Sequence, residues 1–460
     1  MTKSLFHSFQ EISSKEWKQK IQFDLKGADY NDTLVWNSLE GIDVKPFYHR
    51  DEFKHEPFQI PGHPSDWKIT QEVFVDDEKI ANHLAVDAIR RGAEAIVFTS
   101  KKEFDSNLLF LDFPFSEIPI HFHLSFLSEL FIEGLKQFLS KNRATVFYHI
   151  DPIGRLTKDG NWFHNLKQDH EMIEKIIGAN PEDNNLSVDM AIYQNAGATM
   201  VQQLAYGLAH ANEYLNHFNS KTKSQALQKG QLTFRVSVGT NYFFEIAKLR
   251  ALRLLYSTLA KEYDIPETCF ILTQPTRRNK TLYDYNVNLL RTTTEYMSAV
   301  LGGADAVCSS AYDAIYHKSN EFGERIARNQ LLIIKSESYF DSNKNPAEGS
   351  YYIESLTHQL AEKALVLFKE IESNRGFLTQ LKEGVIQKKI KESASKEQSL
   401  FDSGKINLLG TNKHSNPEDK MKENMELYPF LKFNPRKTLV EPIIEKRLSE
   451  KLEQERINNE

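Results

Sequence analysis

The chain has 460 residues, of which 40% are hydrophobic and 26% are charged, and its formal net charge is −6 from 57 basic and 63 acidic residues. These proportions are typical of a globular protein, and an acidic chain without clustered cations is a poor partner for the phosphate backbone of a nucleic acid. The sequence contains no run of about 18 apolar residues, which argues against a membrane span.

Residues 1–65 form the first predicted unit, an N-terminal arm. The stretch "LVWNSLEGIDVKPFYHRDEF" is rich in aromatic residues but shows little periodicity, which predicts extended chain and turns that wrap another surface. The first twenty residues lack the apolar core of a secretory signal. Cys269 and Cys308 lie in apolar runs, as buried free thiols of a reducing compartment do. We therefore expect a cytoplasmic protein.

From residue 66 to residue 336, short apolar runs alternate with longer amphipathic stretches. The apolar runs predict strands, and the stretches between them predict helices, of which 241–263 has the clearest apolar face. Asn241 and Asp284 stand where helix N-caps are expected. The predicted strands are 69–75, 93–98, 119–124, 145–150, 188–193, 232–238, 269–274 and 304–309.

Eight strands that are each followed by a helix, over roughly 250 residues, predict a (β/α)8 TIM barrel within 66–336. Periodicity does not report whether a sheet closes, so a doubly wound open sheet stays as an alternative. Residues 337–460 are more polar, and we expect a helical C-terminal extension without a large core of its own.

The stretch "ILTQPTRRNK" raises the question of why three cations follow the seventh predicted strand. In a barrel, the loops after the strands share one mouth, which would bring 274–278 together with 194–199, 239–241, 149–154 and 309–310. Arg277 and Arg278 could bind a phosphate or carboxylate there. A solvated loop is the simpler interpretation and the one we favour.

A metal site is the second hypothesis for the mouth. His121 and His123 alternate on one strand, and His149 and Asp151 follow at the end of the next, so a hydrolase-type centre can be imagined. A further acidic ligand late in the barrel is not evident, which favours no metal. No phosphate-binding glycine loop, nucleophile elbow, dinucleotide fingerprint or CxxC pair occurs in the sequence.

Several long stretches resemble the methylmalonyl-CoA mutase family in order and spacing. The resemblance covers nearly the whole chain and begins at the N-terminal "WKQKIQFDLKGADY" and "EGIDVKPFY". The other stretches are "NAGATMVQQLAYGLAHANEYL" (195–215), "NYFFEIAKLRALRLLY" (241–256), "RTTTEYMSAVLGGADAV" through "FGERIARNQ" (291–330) and "EGSYYIESLTHQLAEKA" (348–364).

The resemblance implies a function for the family as a whole. Its members convert methylmalonyl-CoA to succinyl-CoA with adenosylcobalamin, and in their catalytic chains CoA threads through the barrel. A C-terminal domain with a DxHxxG motif carries the cobalamin. This sequence contains no DxHxxG motif and ends where that domain would begin. We therefore expect no cobalamin-binding domain and no cofactor in this chain.

The same resemblance implies a lost active site. Leu272 stands where the family has the histidine of its HxQTSG-like motif, and leucine donates no hydrogen bond to a thioester carbonyl. Asn195 stands where the family has glutamate, and the segment near 65–80 lacks the family's radical-site tyrosine. Gln274, Arg277 and Tyr193 remain as candidate substrate-binding residues of a vestigial pocket.

The chain thus resembles the short form of the family's small (beta) subunit, a non-catalytic partner of a larger catalytic alpha subunit in a heterodimer. Trp17, Trp36, Phe47 and Tyr48 of the arm are the candidate partner-contacting aromatics. The alternative is a barrel that still binds a CoA ester and isomerises it with help from a separate cobalamin-binding chain. A metal hydrolase that uses His121, His123 and His149 is the third and weakest hypothesis.

Overall fold

The computed structural model describes residues 8–53, 59–64, 66–179, 183–219, 230–431 and 435–460. The N-terminal arm is more helical than the sequence suggested, because a helix with a Ser13–Glu16 capping box precedes the hairpin. Its elements are α1 (Ser14–Asp24), α2 (Tyr30–Leu34), the strands β1 (Trp36–Asn37) and β2 (Asp43–Val44), and a 3-10 turn (Arg50–Glu52).

Eight parallel strands form a closed barrel in the order β3 to β10, because β10 pairs with both β9 and β3. The prediction of a TIM barrel is confirmed, and closure rules out the open sheet. The strands are β3 (Lys68–Phe74), β4 (Ala95–Ser100), β5 (Ile120–Leu124), β6 (Val146–Ile150), β7 (Asn184–Asp189), β8 (Thr233–Val238), β9 (Phe270–Pro275) and β10 (Ala306–Cys308).

The strand predicted at 188–193 is wrong in position. β7 ends at Asp189, and the apolar residues after it form a short buried helix, Ala191–Asn195. An unbroken apolar run fits a buried strand and a buried helix equally well, so periodicity alone does not separate them. The other seven predicted strands overlap the observed ones.

The helices surround the barrel and continue into the C-terminal extension. In the barrel they are α3 (Glu78–Arg90), α4 (Ser106–Leu109), α5 (Glu129–Lys141), α6 (Pro152–Asp159), α7 (Leu166–Ala179), α8 (Ala191–Asn195), α9 (Met200–Phe218), α10 (Tyr242–Lys261), α11 (Val287–Leu301) and α12 (Glu321–Leu332), which a π-helical turn (Ile333–Glu337) follows. The extension contains α13 (Tyr351–Ser373), α14 (Gly376–Lys382), α15 (Val385–Asp402) and α16 (Glu450–Asn459).

The two predicted N-caps have different outcomes. Asn241 occupies the N-cap position of α10, but its side chain makes no capping hydrogen bond. Asp284 does not cap α11, whose N-cap is Asn286. No helix in the described parts of the chain is long and apolar enough to cross a membrane.

The C-terminal extension is built onto the barrel. Helix α13 lies against α9 and α10 and contributes Leu356, Leu360 and Ala364 to the main apolar core. Burial of each leucine is worth about 1.5–3 kcal/mol. Charges on the outer face of the extension therefore conceal an apolar face that joins the barrel core.

The segment 438–448, named here the strap, runs along the mouth of the barrel in irregular conformation. Its backbone amides donate to carbonyls at three places on the rim. The Val440 and Ile443 amides donate to the carbonyls of Gly160 and Thr157 at the end of α6. The Lys446 amide donates to Asn195 O (3.0 Å) in the segment that follows β7, and the Leu448 amide donates to Arg278 O (2.9 Å) in the loop that follows β9. The strap ties three separate loops of the mouth to the C-terminal extension.

The hairpin of the N-terminal arm docks on its own barrel. The Glu40 carboxylate accepts hydrogen bonds from the Met200 and Val201 amides, both at 2.9 Å, and so caps α9 from a distant part of the chain. A carboxylate at this position also interacts favourably with the helix dipole. Trp36 meets Phe244 edge to face at 5.7 Å. The hairpin thereby becomes part of the barrel surface.

Two carboxylates at the junction of α9 and α13 predict a pH-dependent stability. Burial, together with the nearby charge of Glu213, raises the pKa of Glu372 to about 7, and Asn212 offsets this only in part. Oε1 of Glu372 is buried and has no hydrogen-bond partner in the described part of the chain. The folded state thus holds a proton that the unfolded state releases near its ordinary value of 4.5. Stability is full below that value and falls as pH rises towards about 7.

We expect Glu372→Gln to raise the free energy of unfolding at pH 8 by about 1–3 kcal/mol, because the glutamine needs no proton. Near pH 4.5 the variant and the parent should differ little. Urea denaturation across this pH range measures the difference, and Glu370→Gln on the exposed face of α13 is the control. An equal effect of both variants would contradict the explanation.

Candidate functional site

The inner face of the barrel is packed with side chains near its middle. Leu272, which the sequence predicts at the position of the family histidine, is 4% exposed. It packs in an apolar cluster with Val97, Ala306 and Cys308. Strands β4, β9 and β10 supply this cluster across the barrel, because alternate residues of each strand point to the barrel axis. Leu272 is thus part of the packed interior and presents no polar atom to the axis.

An aromatic layer crosses the axis beside this cluster. The Phe147 ring lies 4.4 Å from the His121 ring and 4.4 Å from the Phe270 ring. A hydrogen bond of 2.9 Å joins His121 Nδ1 to His149 Nε2. The β6–β7 pairing shifts register between Phe147 and Ile150, and His149 has a φ of +40°. These rings fill the space that an axial ligand would need.

A charged layer lies above the aromatic layer, towards the mouth. Arg235 Nη1 donates to His123 Nε2 (2.9 Å) and to Asp189 Oδ2 (3.2 Å). The guanidinium is 7% exposed. It therefore spans from β8 to β5 and β7 and closes the axis from above.

The three axial histidines are neutral. Burial, then the nearby charge of Arg235, lowers the pKa of His121 to about 3. Burial likewise lowers the pKa of His149 and of His123 well below the usual range, and neighbouring cationic or imidazole groups add to the effect. At neutral pH these rings act as packed hydrogen-bonding groups.

The structure separates the residues of the metal hypothesis. His121 and His149 bond to each other, and His123 bonds to Arg235. Asp151 instead accepts hydrogen bonds from the Tyr214 hydroxyl (2.6 Å) and the Gly154 amide (2.8 Å) outside this group. In the described ranges, no three His, Cys, Asp or Glu side chains come together as metal ligands.

Arg277 and Arg278, the two arginines after β9, both lie against the strap or its neighbours, and Arg278 makes the closer contacts. Arg278 is 8% exposed; it pairs with Glu397 of α15 at 2.5 Å and donates to the Lys446 carbonyl at 2.8 Å. The more exposed Arg277 lies 3.7 Å from Glu445 of the strap. Burial opposes the charge of Glu445, but Lys158 and Arg277 outweigh it and lower its pKa. Both arginines thus have partners within the chain.

Asn195 joins three loops of the mouth. Its Oδ1 accepts from Thr276 Oγ1 (2.8 Å) and from the Arg277 amide (3.0 Å), and its Nδ2 lies 3.5 Å from Ser237 Oγ. An asparagine offers a donor and an acceptor for this role, whereas a glutamate offers only acceptors. Gln274, two residues after Leu272 on β9, faces the same mouth and is half-buried.

Tyr193 lies behind the mouth, in a buried network. It is fully buried, and a 3.0 Å hydrogen bond joins its hydroxyl to His210 Nδ1. His210 Nε2 in turn lies 2.9 Å from Asp151 Oδ1. The structure therefore brings Gln274, Arg277 and Asn195 to the mouth and places Tyr193 apart from them.

Sequence reasoning missed the residues that close the mouth from a distance. Arg235 lies within the apolar strand β8. A single arginine in such a strand predicts buried hydrogen-bond or ion-pair partners, because an unpaired buried charge is costly. The strap residue Glu445 and the α15 residue Glu397 carry no such signal, because charged residues surround both in the sequence.

The closed parallel barrel, with a filled axis and a strapped mouth, defines a (β/α)8-barrel protein. A family model described as methylmalonyl-CoA mutase matches residues 106–454. The chain is 31% identical over 443 residues to the methylmalonyl-CoA mutase small subunit of Porphyromonas gingivalis, covering 90% of this chain and 71% of that protein. The chain belongs to the methylmalonyl-CoA mutase family.

Two further relatives are longer mutases. The methylmalonyl-CoA mutase of Cereibacter sphaeroides is 29% identical over 469 residues, covering 86% of this chain and 64% of the relative. The mitochondrial methylmalonyl-CoA mutase of Homo sapiens is 26% identical over 471 residues, covering 89% of this chain and 62% of the relative. The chain therefore spans less than two thirds of the length of these two proteins.

Proposed function

We propose that the chain is the non-catalytic small subunit of an adenosylcobalamin-dependent methylmalonyl-CoA mutase. It would stabilise a larger catalytic alpha subunit in a heterodimer that isomerises methylmalonyl-CoA to succinyl-CoA in propionate metabolism. The observation that carries the proposal is the filled barrel axis, where Phe147 contacts both His121 and Phe270 at 4.4 Å between ring centres. A CoA ester needs an open axis to thread through a barrel.

The chemistry of the mouth supports the same proposal. A radical isomerase must stabilise the thioester carbonyl with a hydrogen-bond donor, but Leu272 is apolar and packed in the interior. Asn195 is engaged with Thr276 and the Arg277 amide. The packing of Leu272 and the hydrogen bonds of Asn195 therefore support a non-catalytic role.

The three histidines of the barrel axis are poor candidates for a cobalt ligand. The histidine nearest the mouth, His123, accepts a hydrogen bond from Arg235, and His121 and His149 bond to each other inside the barrel. His121 Nε2 and His149 Nδ1 have no hydrogen-bond partner among the described residues, but both rings are buried in the barrel interior. We place the cofactor on the partner subunit and derive no step through it.

The partner surface that we propose is the first part of the N-terminal arm. Helix α1 has no buried residue, while Phe9, Trp17 and Phe23 are 74%, 48% and 78% exposed. Aromatic residues are enriched in interface cores. Tyr48, by contrast, stacks near Tyr352 of α13 at 5.2 Å, so the later part of the arm belongs to its own barrel.

The alternative, a barrel that isomerises a CoA ester itself, has less support. Of its three candidate residues, Tyr193 is buried away from the mouth and Arg277 faces Glu445. A cytoplasmic location fits the two free, buried thiols, Cys269 and Cys308.

Native-mass analysis of the tagged chain, purified from its own host, tests the proposal. We expect a one-to-one complex with a larger methylmalonyl-CoA mutase chain that carries cobalamin, and mutase activity only in that complex. A stable monomer, or saturable turnover of methylmalonyl-CoA by the isolated chain with added cofactor, would contradict it.

A matched pair of variants tests the proposed surface. Trp17→Asp with Phe23→Asp should weaken the complex, because charged residues are disfavoured at an interface core. Leu130→Asp is the control, since Leu130 is 84% exposed on α5, away from the arm. Equal complex formation by all three proteins would remove α1 from the interface.

A further inference from the structure

A cavity of about 770 Å³ opens beside the filled barrel axis. We name it the side cavity; it lies between the loops after β7, β8 and β9, the hairpin of the arm, and α15 with the residues that follow it. This volume is within the usual range for a small-molecule site. Its lining includes Trp36, Glu40, Gln194, Gly239, Lys396 and Lys405.

The floor of the side cavity is held in place by a buried lysine. Lys248 Nζ donates to Gln194 Oε1 (3.0 Å), to Gln203 Oε1 (3.0 Å) and to the Ser237 carbonyl (2.8 Å). Gly239 has no side chain at the floor, and a Cβ there would lie 3.2 Å from both Gln194 Nε2 and Glu245 Oε1. A fixed polar floor of this kind favours binding, because little conformational entropy is lost when a ligand enters.

The charges around the side cavity do not cancel locally. Lys396 and Lys405 form no ion pair with any described residue, although both line the cavity. Three carboxylates of the lining are in ion pairs: Glu245 with Lys248 (2.6 Å), Glu392 with Lys389 (3.2 Å) and Glu397 with Arg278 (2.5 Å). The fourth, Glu40, accepts hydrogen bonds from the Met200 and Val201 amides (2.9 Å each). The two unpaired lysines therefore exceed the one carboxylate without a cationic partner and favour an anion.

The N-terminus of α10 adds to this positive potential. Residues 239–241 line the cavity, and the Asn241 side chain makes no capping hydrogen bond to the first turn of the 20-residue helix. Uncapped amides at a helix N-terminus bind anions, phosphate above all. Helix α9, whose N-terminus also reaches the cavity, is already capped by Glu40 and Thr199.

The lining also indicates what the anion is attached to. Lysines bind phosphate as point charges, whereas a carboxylate is recognised best by a free guanidinium, and Arg278 is occupied by Glu397. Trp36, 51% exposed, with Leu39 and Ile406, offers an apolar wall on which a flat ring can stack. We propose that the side cavity binds a nucleotide-sized phosphate ester, with its phosphates between Lys396, Lys405 and the α10 N-terminus and its base on Trp36.

Titration of the full-length chain with ADP tests the site, with calorimetry and tryptophan fluorescence as readouts. We expect saturable binding with a fluorescence change from Trp36. Lys396→Glu with Lys405→Glu should weaken binding at least about tenfold, because each lost charge-assisted contact is worth more than the 1.4 kcal/mol that equals a factor of ten. Both lysines are exposed, so the double variant should fold normally.

Lys388→Glu is the control, since Lys388 is an exposed residue of α15 outside the cavity lining, and it should bind ADP as the parent does. Competition by CoA would identify the nucleotide part of CoA as an occupant, and binding of ADP alone would indicate a free nucleotide. Absence of binding at millimolar ADP, or equal loss in the control, would overturn the proposal. None of these outcomes depends on the proposed non-catalytic role, which the mutase assay tests separately.

Discussion

Replacing Phe147 by alanine is expected to lower the free energy of unfolding by about 4 kcal/mol, near the middle of the range for a buried phenylalanine. The ring is 6% exposed and lies 4.4 Å from the rings of both His121 and Phe270. Its removal leaves a cavity on the barrel axis. The strands of a closed barrel are hydrogen-bonded on both sides and cannot move inwards to fill it. Urea denaturation followed by circular dichroism measures the change.

The comparison for this prediction is Phe74→Ala. Phe74 is also on a barrel strand, β3, but is 50% exposed, so we expect a loss of about 1 kcal/mol or less. A loss below about 1 kcal/mol for Phe147→Ala would mean that the axis is loosely filled. That result would revive the possibility that a CoA ester passes through the barrel.

Replacing Arg278 by alanine is expected to cost about 3 kcal/mol of unfolding free energy, because it leaves Glu397 without its partner in a partly buried site. The guanidinium also holds the strap through the Lys446 carbonyl at 2.8 Å. The variant should therefore release the strap as well, and proteolysis near residues 438–448 should become faster in the native protein.

Arg277→Ala is the matched test on the adjacent residue. The Arg277 side chain is 59% exposed and reaches Glu445 only at 3.7 Å, so its loss should change stability by about 0.5 kcal/mol or less. The double variant Arg278→Ala, Glu397→Ala should recover part of the loss, because no unpaired carboxylate remains. Equal effects of the two single substitutions would refute the assignment of Arg278 as the anchor.

Local pattern was sufficient for most of the barrel elements. β8 and α10 begin and end within two residues of their predicted bounds, because a strand buried on both faces and an amphipathic helix leave different periodicities. The pattern failed at β7, where the apolar run of the strand continues into α8 without a turn residue. At the break, the Met190 amide donates to the Arg235 carbonyl of β8 (2.8 Å) and the Ala191 amide donates to Asp189 Oδ1 (3.1 Å).

The N-terminal arm shows what composition leaves open. Its aromatic residues favoured a role in wrapping a partner, but Trp36 meets Phe244 of its own barrel at 5.7 Å. Glu40, which composition did not single out, holds the hairpin in place on α9. Aromatic content marks a residue that needs a contact and does not specify which surface supplies it.

The sequence by itself determined the class of fold and the family, because strand and helix periodicity and shared motifs are properties of local sequence. That Leu272 and Asn195 replace the family's histidine and glutamate is a prediction from the same motifs. Only the tertiary structure decided that the barrel axis is filled, that Tyr193 lies behind the mouth, and that Arg278 anchors the strap. Arg278 meets Glu397 and Lys446 across 119 and 168 positions of chain. Contacts over such distances depend on how the closed barrel orients its loops, which no local pattern encodes.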